Sequence, residues 1–91
     1  MFKFRLYVAG TTSNSVQAIA NLALLCRTRL PSRHELEVID VLRHPHRGLA
    51  DRVFVTPMLI KFAPGAERRI IGTLHDTDKV LRALELESPP A

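Results

Sequence analysis

The sequence predicts one α/β domain in which helices flank a mixed four-stranded sheet. Apolar and polar residues alternate near the N-terminus with the period of a strand. A long segment with apolar residues three and four positions apart follows, which is typical of an amphipathic helix. A Pro-Gly turn between two apolar runs in the second half indicates a hairpin. Because the chain has 91 residues, it has room for one core.

Two strands joined by a helix are predicted in the first half. Residues 3–8 alternate, and one face of this strand holds three apolar side chains: Phe4, Leu6 and Val8. Residues 36–42 are rich in Val and Ile and predict a second strand, buried on both faces as parallel strands usually are. A strand, a helix and a strand in so short a length predict a right-handed crossover.

The helix between these strands is predicted to begin at Asn14. The Asn14 side chain suits a cap, with Gln17 three positions later as in a capping box. The helix should end near Leu30, because Pro31 cannot continue it. Five residues at helical spacing predict its buried stripe: Val16, Ile19, Ala20, Ala23 and Cys26.

The second half is predicted to supply a hairpin and a last helix. Residues 44–54 predict a loop with a short helix, and the run at 58–62 predicts a third strand. Residues 63–66 suit a type II turn, since proline fixes the first central position and glycine accepts a positive φ at the second. A return strand over 67–71 follows, and the last helix starts near Asp76 with a short apolar stripe: Val80, Leu81 and Leu84. The order βαβαββα is the thioredoxin-like arrangement.

Composition narrows the class of protein. Apolar residues make up 46% of the chain and charged residues 24%, which excludes a disordered or fibrous chain. The longest unbroken apolar run, at 22–26, falls far short of the ~20 residues of a membrane span. Lys3 and Arg5 interrupt the apolar start that a secretory signal needs, and one cysteine cannot form an internal disulfide. We therefore expect a cytoplasmic protein without a membrane partner, whose formal charge of +4 favours acidic partners.

Five stretches carry a resemblance to a known family. They are Leu-Tyr-Val-Ala-Gly at 6–10, Asn-Ser-Val at 14–16, Val-Ile-Asp-Val-Leu at 38–42, Thr-Pro at 56–57 and Arg-Arg-Ile-Ile-Gly at 68–72. On these stretches the chain resembles the KaiB family of circadian clock proteins. The resemblance implies a single thioredoxin-like domain over residues 1–91, with a short flexible tail at 87–91. It also implies a non-enzymatic regulator of clock or stress signalling that docks on the ATPase ring of KaiC and competes there with a sensor kinase.

The family resemblance also implies two folds for one sequence, a resting tetramer and a thioredoxin-like form that binds partners. Clock proteins of this family carry Val-Leu-Ile-Gly-Leu-Asp-Leu where this chain has Val-Leu-Arg-Ala-Leu-Glu-Leu at 80–86. Ala83 and Glu85 are better helix formers than Gly and Asp, Ala over Gly by roughly 1 kcal/mol. We therefore expect the chain to stay thioredoxin-like, although the sequence leaves its oligomeric state open.

The resemblance also indicates where a partner binds. Four basic residues match basic positions of the clock proteins and are expected to face an acidic ring surface: Arg52, Lys61, Arg68 and Arg69. The alternative is a solvated face that contributes only solubility. Pro57, just before the third strand, matches the cis-proline of thioredoxin-like folds. Because this chain has no thiol pair, the role of Pro57 is expected to be structural.

Other functions find less support in the sequence. Disulfide exchange needs a thiol pair at the start of the first helix, and residues 11–15 hold none, so Cys26 is expected to be a small buried apolar residue. His44 and His46 flank a proline without further ligands nearby, so neither a metal nor a cofactor is expected. Few aromatics argue against nucleic-acid binding, and Phe4 and Phe62 are expected in the core. A thioredoxin-like redox or stress-response protein, or a kinase-associated sensory module, is the second hypothesis.

Overall fold

The computed structural model describes residues 1–86, so the tail predicted at 87–91 lies outside the described residues. Four strands and three helices follow the predicted order: β1 Phe2–Val8, α1 Ser13–Arg29, β2 His34–Asp40, α2 Pro45–Ala50, β3 Met58–Ala63, β4 Arg68–Ile71 and α3 Thr77–Ala83. The sheet order is β2-β1-β3-β4, with β1 and β2 parallel and the other two pairs antiparallel. The predicted mixed four-stranded sheet is therefore confirmed. Within the described part of the chain, no helix is both long and apolar enough to cross a membrane.

Strand β1 divides the core into two layers, because successive side chains of a strand point to opposite faces. Phe4, Leu6 and Val8 are buried under α1 and α3, as predicted. Tyr7 points to the other face, where α2 lies, and a second cluster forms around it: Ile39, Val53, Met58 and Ile60. Phe62 is half-buried on this second face, beneath the Arg5 guanidinium at 4.5 Å from its ring.

The predicted buried stripe of α1 is wrong except for Cys26. The residues that face the sheet are Ser15, Ala18, Leu22, Leu25 and Cys26, and four predicted to be buried are exposed: Val16, Ile19, Ala20 and Ala23. The two stripes differ by about one residue, or a rotation of roughly 100°. Both are mostly apolar, so periodicity alone does not choose between them.

A serine at the start of the buried stripe is tolerated because its hydroxyl is satisfied. Ser15 Oγ accepts hydrogen bonds from the Ala9 backbone N–H at 3.1 Å and from the Thr12 hydroxyl at 2.8 Å. The predicted cap at Asn14 is also wrong, since α1 begins one residue earlier and Thr12 is the N-cap. Gln17 donates instead to Ser13 Oγ at 3.1 Å, within the first turn.

Strand β2 differs from its prediction in position and burial. It lies at the edge of the sheet and ends at Asp40, and Val38 is 44% exposed. Only Ile39 is buried in it. The Val and Ile content of β2 predicted burial on both faces, and this prediction is wrong, because β2 is an edge strand with a neighbour on one side only. The predicted parallel pairing with β1 is confirmed.

The turn and the last helix follow their local signals. Gly65 has φ +76°, as predicted for this turn, and the Ala63–Pro64 peptide bond is cis, which the sequence did not predict. The Asp76 side chain accepts from the Lys79 backbone N–H at 3.1 Å and so caps α3.

The helix argument for Glu85 is wrong, because α3 ends at Ala83. Glu85 has φ +56°, a left-handed conformation that favours glycine. Its N–H donates to the Arg82 carbonyl at 3.2 Å, and the Leu86 N–H donates to the Leu81 carbonyl at 2.8 Å. This pair of bonds is a Schellman motif, which satisfies carbonyls at the end of a helix. Ala83, in contrast, lies in the last turn of α3, where its propensity does act.

Candidate functional site

The four basic residues expected to bind a partner lie on two different faces of the sheet. Arg68 pairs with Lys61 and Arg69 pairs with Ile60 across β3 and β4. Neighbours along a strand point to opposite faces, so Arg68 and Lys61 share the face of α1 and α3. Arg69 shares the face of α2. The expectation that all four face one partner surface is therefore not met, and the role of each in binding stays a prediction.

Lys61 is poorly placed for direct contact with a partner, and Arg68 is paired within the chain. Lys61 is only 2% exposed, against the expectation of a surface contact. Arg68 donates to the Glu85 carboxylate at 2.8 Å, which occupies part of its hydrogen-bonding capacity within the chain. Lys61 is therefore withdrawn from the surface, whereas the Arg68 side chain is 41% exposed on the face of α1 and α3.

Arg52 and Arg69 lie together beside exposed apolar side chains. The Arg69 guanidinium approaches the Arg52 carbonyl oxygen at 3.5 Å. Phe54 follows in the loop and is 78% exposed, Val55 is 50% exposed, and Ile71 on β4 is 55% exposed. We call these five residues the docking face. Exposed apolar residues grouped with arginine are typical of protein-binding surfaces.

The fold presents the docking face on a supported loop. Arg52 has φ +56° just after α2, which turns the chain back towards the sheet. Val53 is buried in the second core cluster, so the next residue is directed outward. Arg69 is held by Glu67 at 3.0 Å and lies 3.7 Å from Met58 Sδ. Because β4 is an edge strand, its outer side has no strand partner within the described residues.

Pro57 joins this loop to β3 through a cis peptide bond with Thr56, as the resemblance implied. The Pro57 carbonyl accepts from the Gly72 N–H at 3.0 Å, which ties the loop to the end of β4. Pro57 is buried. Its place in the fold is therefore structural, beneath the docking face.

A network of charged groups fixes α2 under this loop. The Tyr7 hydroxyl hydrogen-bonds the Asp51 carboxylate, and Arg5 donates to the same carboxylate at 3.0 Å. Glu37 accepts two bonds from Arg47 at 2.5 and 2.7 Å. Burial raises the pKa of Asp51, but hydrogen bonds from Tyr7 and Arg5 lower it more, so the pKa of this carboxyl lies below its ordinary value.

The start of α1 holds no group suited to thiol chemistry. Residues 11–15 are Thr, Thr, Ser, Asn and Ser. Cys26 lies near the other end of the helix, 2% exposed, and burial raises its pKa to about 11. A thiol with so high a pKa is almost wholly protonated at neutral pH and is a poor nucleophile.

No group of side chains is arranged to bind a metal ion within residues 1–86, where three or more His, Cys, Asp or Glu residues nowhere come together. His44 precedes α2 and His46 lies in its first turn. Both are exposed.

Comparison with known protein families shows which family the chain belongs to. The model of the KaiB domain matches residues 5–86. The chain belongs to the KaiB family. Its curated relatives include the circadian clock protein KaiB3 of Synechocystis, 43% identical over 82 residues that cover 90% of this chain and 80% of the relative. The circadian clock oscillator protein KaiB of Synechococcus elongatus is 44% identical, with the same coverage of each chain.

Solved structures confirm the thioredoxin-like fold of this KaiB-family chain. The N-terminal domain of SasA from Synechococcus elongatus matches with a TM-score of 0.71 and 23% identity, covering 99% of this chain and 89% of that one. Mitochondrial thioredoxin 3 from Saccharomyces cerevisiae matches with a TM-score of 0.75 and 14% identity, covering 94% and 78%. At these identities the likeness shows the fold alone.

The exposed apolar residues of the docking face were missed by the sequence analysis. Phe54 ends the segment predicted as a loop with a short helix, and Val55 lies between that loop and the predicted third strand, so no periodic pattern marks either side chain as exposed or buried. Ile71 carries a usable signal, because it is two residues from Arg69 in a strand and must share its face.

Proposed function

We propose that this KaiB-family chain is a non-enzymatic regulator that binds a KaiC-type ATPase ring through the docking face. Family membership and the names of its relatives, which are circadian clock proteins, support a clock or signalling role. The observation that carries the proposal is the exposure of Phe54, Val55 and Ile71 beside Arg52 and Arg69. We expect the protein to act in the cytoplasm, where its single thiol stays reduced.

The chemistry of the docking face favours an acidic protein surface with an apolar centre. An exposed phenylalanine can fill a pocket on a partner, and aromatic residues and arginine are enriched at interfaces. Two arginines nearby attract carboxylates, which steers encounter and fixes orientation. The open edge of β4 adds backbone groups that an extended segment of a partner can pair with.

A redox function has no equivalent support. The sequence contains one cysteine, and disulfide exchange within one domain uses a second thiol to resolve the mixed disulfide. An insulin-reduction assay with the purified chain tests this directly. Measurable turnover would favour the redox hypothesis over the proposed binding role.

A binding assay with a KaiC-type ATPase from the same cell tests the proposal. The purified chain is immobilised, and the ATPase is added with ATP and, separately, with ADP. We expect saturable binding that depends on the nucleotide. Phe54→Ala and Arg69→Glu should each weaken binding by at least about tenfold, a difference of ~1.4 kcal/mol.

Matched controls separate the docking face from general effects of charge and surface hydrophobicity. Leu24→Ala removes a 50% exposed apolar side chain from α1, and Arg27→Glu reverses an exposed charge on the same helix. Neither should change binding by more than about twofold. Equal losses in the controls and the docking-face variants, or none in either, would overturn the proposal, provided that melting temperatures are preserved.

A further inference from the structure

A second surface lies at the opposite end of the sheet from Pro57 and has a different chemistry. A cleft of about 380 Å³ opens between the start of β1, the end of α1 and the β3–β4 hairpin. Its walls include three basic residues, two apolar ones and one carboxylate: Arg29, Arg33, Lys61, Phe2, Leu30 and Glu85. None of these residues belongs to the docking face.

Lys61 is the unusual member of this cleft. The residue is 2% exposed, yet none of the ion pairs within 4.0 Å among residues 1–86 includes it. No buried side-chain nitrogen or oxygen of the described residues lacks a hydrogen-bond partner, so the Lys61 ammonium reaches the cleft surface. The Glu85 carboxylate lies near enough for the Lys61 charge to help lower its pKa, but the direct ion pair of Glu85 is with Arg68. Among the described residues the Lys61 ammonium therefore has no ion pair of its own, and an anion in the cleft can supply one.

The other charges of the cleft add to the positive potential. Arg33 is exposed, with its guanidinium 5.6 Å from the Phe2 ring centre, and Arg29 is exposed at the end of α1. Glu85 is the one carboxylate of the wall, and Arg68 neutralises it through a 2.8 Å ion pair. Three cationic residues therefore line the cleft against one carboxylate, which is paired with Arg68.

We propose that this cleft binds a small phosphate monoester, with the phosphate between Lys61, Arg33 and Arg29. Two guanidinium groups can each donate two hydrogen bonds to phosphate oxygens, and an ammonium adds a point charge suited to a dianion. Phe2 and Leu30 supply an apolar wall for the organic part of the ligand. The cleft has the volume of a small-molecule site rather than that of a protein interface.

Nuclear magnetic resonance titrations of the ¹⁵N-labelled full chain test the site with three probes at matched ionic strength. Phenyl phosphate carries a dianion and a ring, inorganic phosphate carries the dianion alone, and benzoate carries the ring with a single charge. We expect saturable shifts of the Phe2, Arg33, Lys61 and Gly65 amides. Phenyl phosphate should bind most tightly and benzoate most weakly, while sodium chloride should give no saturable shift.

Variants show whether the shifts depend on the cleft. Lys61→Met keeps the length of the side chain and removes its charge, so affinity for phenyl phosphate should fall at least about tenfold. Should that variant fail to fold, exposed Arg33→Gln makes the same test, with an expected loss of about threefold or more. Lys79→Met removes an exposed charge from α3, outside the cleft, and should leave affinity within about twofold.

Several results would overturn the inference. They are shifts that chloride reproduces, benzoate binding as tightly as phenyl phosphate, and equal losses in the Lys61 and Lys79 variants. A phosphotyrosine peptide that binds more tightly than phenyl phosphate would overturn the assignment to a small molecule and indicate a phosphorylated protein. Because the site does not include the docking face, its failure leaves the proposed binding to an ATPase untouched.

Discussion

Removing one oxygen atom, in Tyr7→Phe, tests how α2 is held against the sheet. Tyr7 is fully buried in β1, and its hydroxyl hydrogen-bonds Asp51 at the end of α2 and lies 3.1 Å from the Arg47 carbonyl oxygen. Asp51 has a side chain only 18% exposed. In the variant, its carboxylate keeps Arg5 and loses the tyrosine donor. The variant therefore lacks the hydrogen bond that joins Tyr7, in the second core cluster, to Asp51 at the end of α2.

The expected cost follows from the charge on the acceptor. A hydrogen bond to an ionised group contributes about 1.5–3 kcal/mol, and leaving a half-buried carboxylate with one donor fewer lies in this range. We expect Tyr7→Phe to lower the free energy of unfolding by about 2 kcal/mol at neutral pH. For a domain of this size, that lowers the melting temperature by roughly 8–16 °C.

The cost should depend on pH in a defined direction. The pKa of Asp51 in the folded chain lies below its ordinary value, because the bonds from Tyr7 and Arg5 outweigh the effect of burial. A depressed pKa stabilises the fold above the unfolded-state value of about 3.9, and this stabilisation is lost as the pH falls through the folded-state pKa. The difference between wild type and Tyr7→Phe should therefore shrink below about pH 4.

Urea unfolding followed by circular dichroism, at neutral pH and at about pH 3, measures both quantities. Asp51→Asn supplies the control for pH: residue 51 cannot ionise in that background, so the cost of adding Tyr7→Phe to it should be the same at both pH values. A loss below about 0.5 kcal/mol at neutral pH would refute the reasoning, because surface substitutions give losses of that size. A loss that is the same at both pH values would show that the carboxylate is not the partner.

Four further outcomes follow from single residues. Burial, and then the bond to Asp51, raise the pKa of Tyr7 to about 12, so the phenolate absorbance of this sole tyrosine should appear near that pH in the folded chain and near 10 in urea. Burial raises the pKa of Cys26 to about 11, so iodoacetamide should label it only after unfolding. Glu85→Gly should be more stable than Glu85→Ala by about 1 kcal/mol in urea unfolding, because both lose the Arg68 pair and only glycine relieves the left-handed strain. Ala83→Gly should lower the free energy of unfolding by up to about 1 kcal/mol. In sedimentation the variant should form a tetramer that the wild type does not form. A wild-type tetramer would refute the hypothesis that this chain stays thioredoxin-like.

The order of the elements could be predicted because each has a local signal. The alternation at Phe4, Leu6 and Val8 fixes the inner face of β1, and the structure buries all three. Gly65 and Asp76 mark a turn and a helix start through backbone chemistry that does not depend on the rest of the fold. Such signals depend only on residues a few positions apart, so they can be interpreted without knowing how the chain packs.

The orientation of α1 could not be predicted, because the helix is apolar on more than one side. Val16 and Ile19 look as suitable for the core as Ala18 and Leu22. Ser15 favours the observed side, because its hydroxyl accepts from the Ala9 N–H in the orientation that buries Ala18 and Leu22. A hydrogen bond of this kind depends on where the strand lies, which periodicity does not contain.

The candidate site was predicted from a resemblance and was only partly located. The prediction grouped Arg68 with Arg69 although neighbours in a strand must diverge, so here the sequence did contain the signal that separates them. The burial of Lys61 had no such signal, since it depends on the tertiary packing of the sheet, and the residues that line the cleft with it, such as Leu30 and Leu86, are distant in sequence. Exposure of Phe54 depends in turn on Val53 being the residue that enters the core.

The divergence of Arg68 and Arg69 gives the molecule two chemically separate surfaces. Arg69 joins Arg52 on the side of α2, while Arg68 pairs with Glu85 at the cleft that contains Lys61. Strand β4 supplies Arg69 and Ile71 to the docking face, whereas its Arg68 reaches the cleft only through the ion pair with Glu85. Because successive side chains of a strand point to opposite faces, Arg69→Glu should weaken binding at the docking face and leave phenyl phosphate binding in the cleft unchanged.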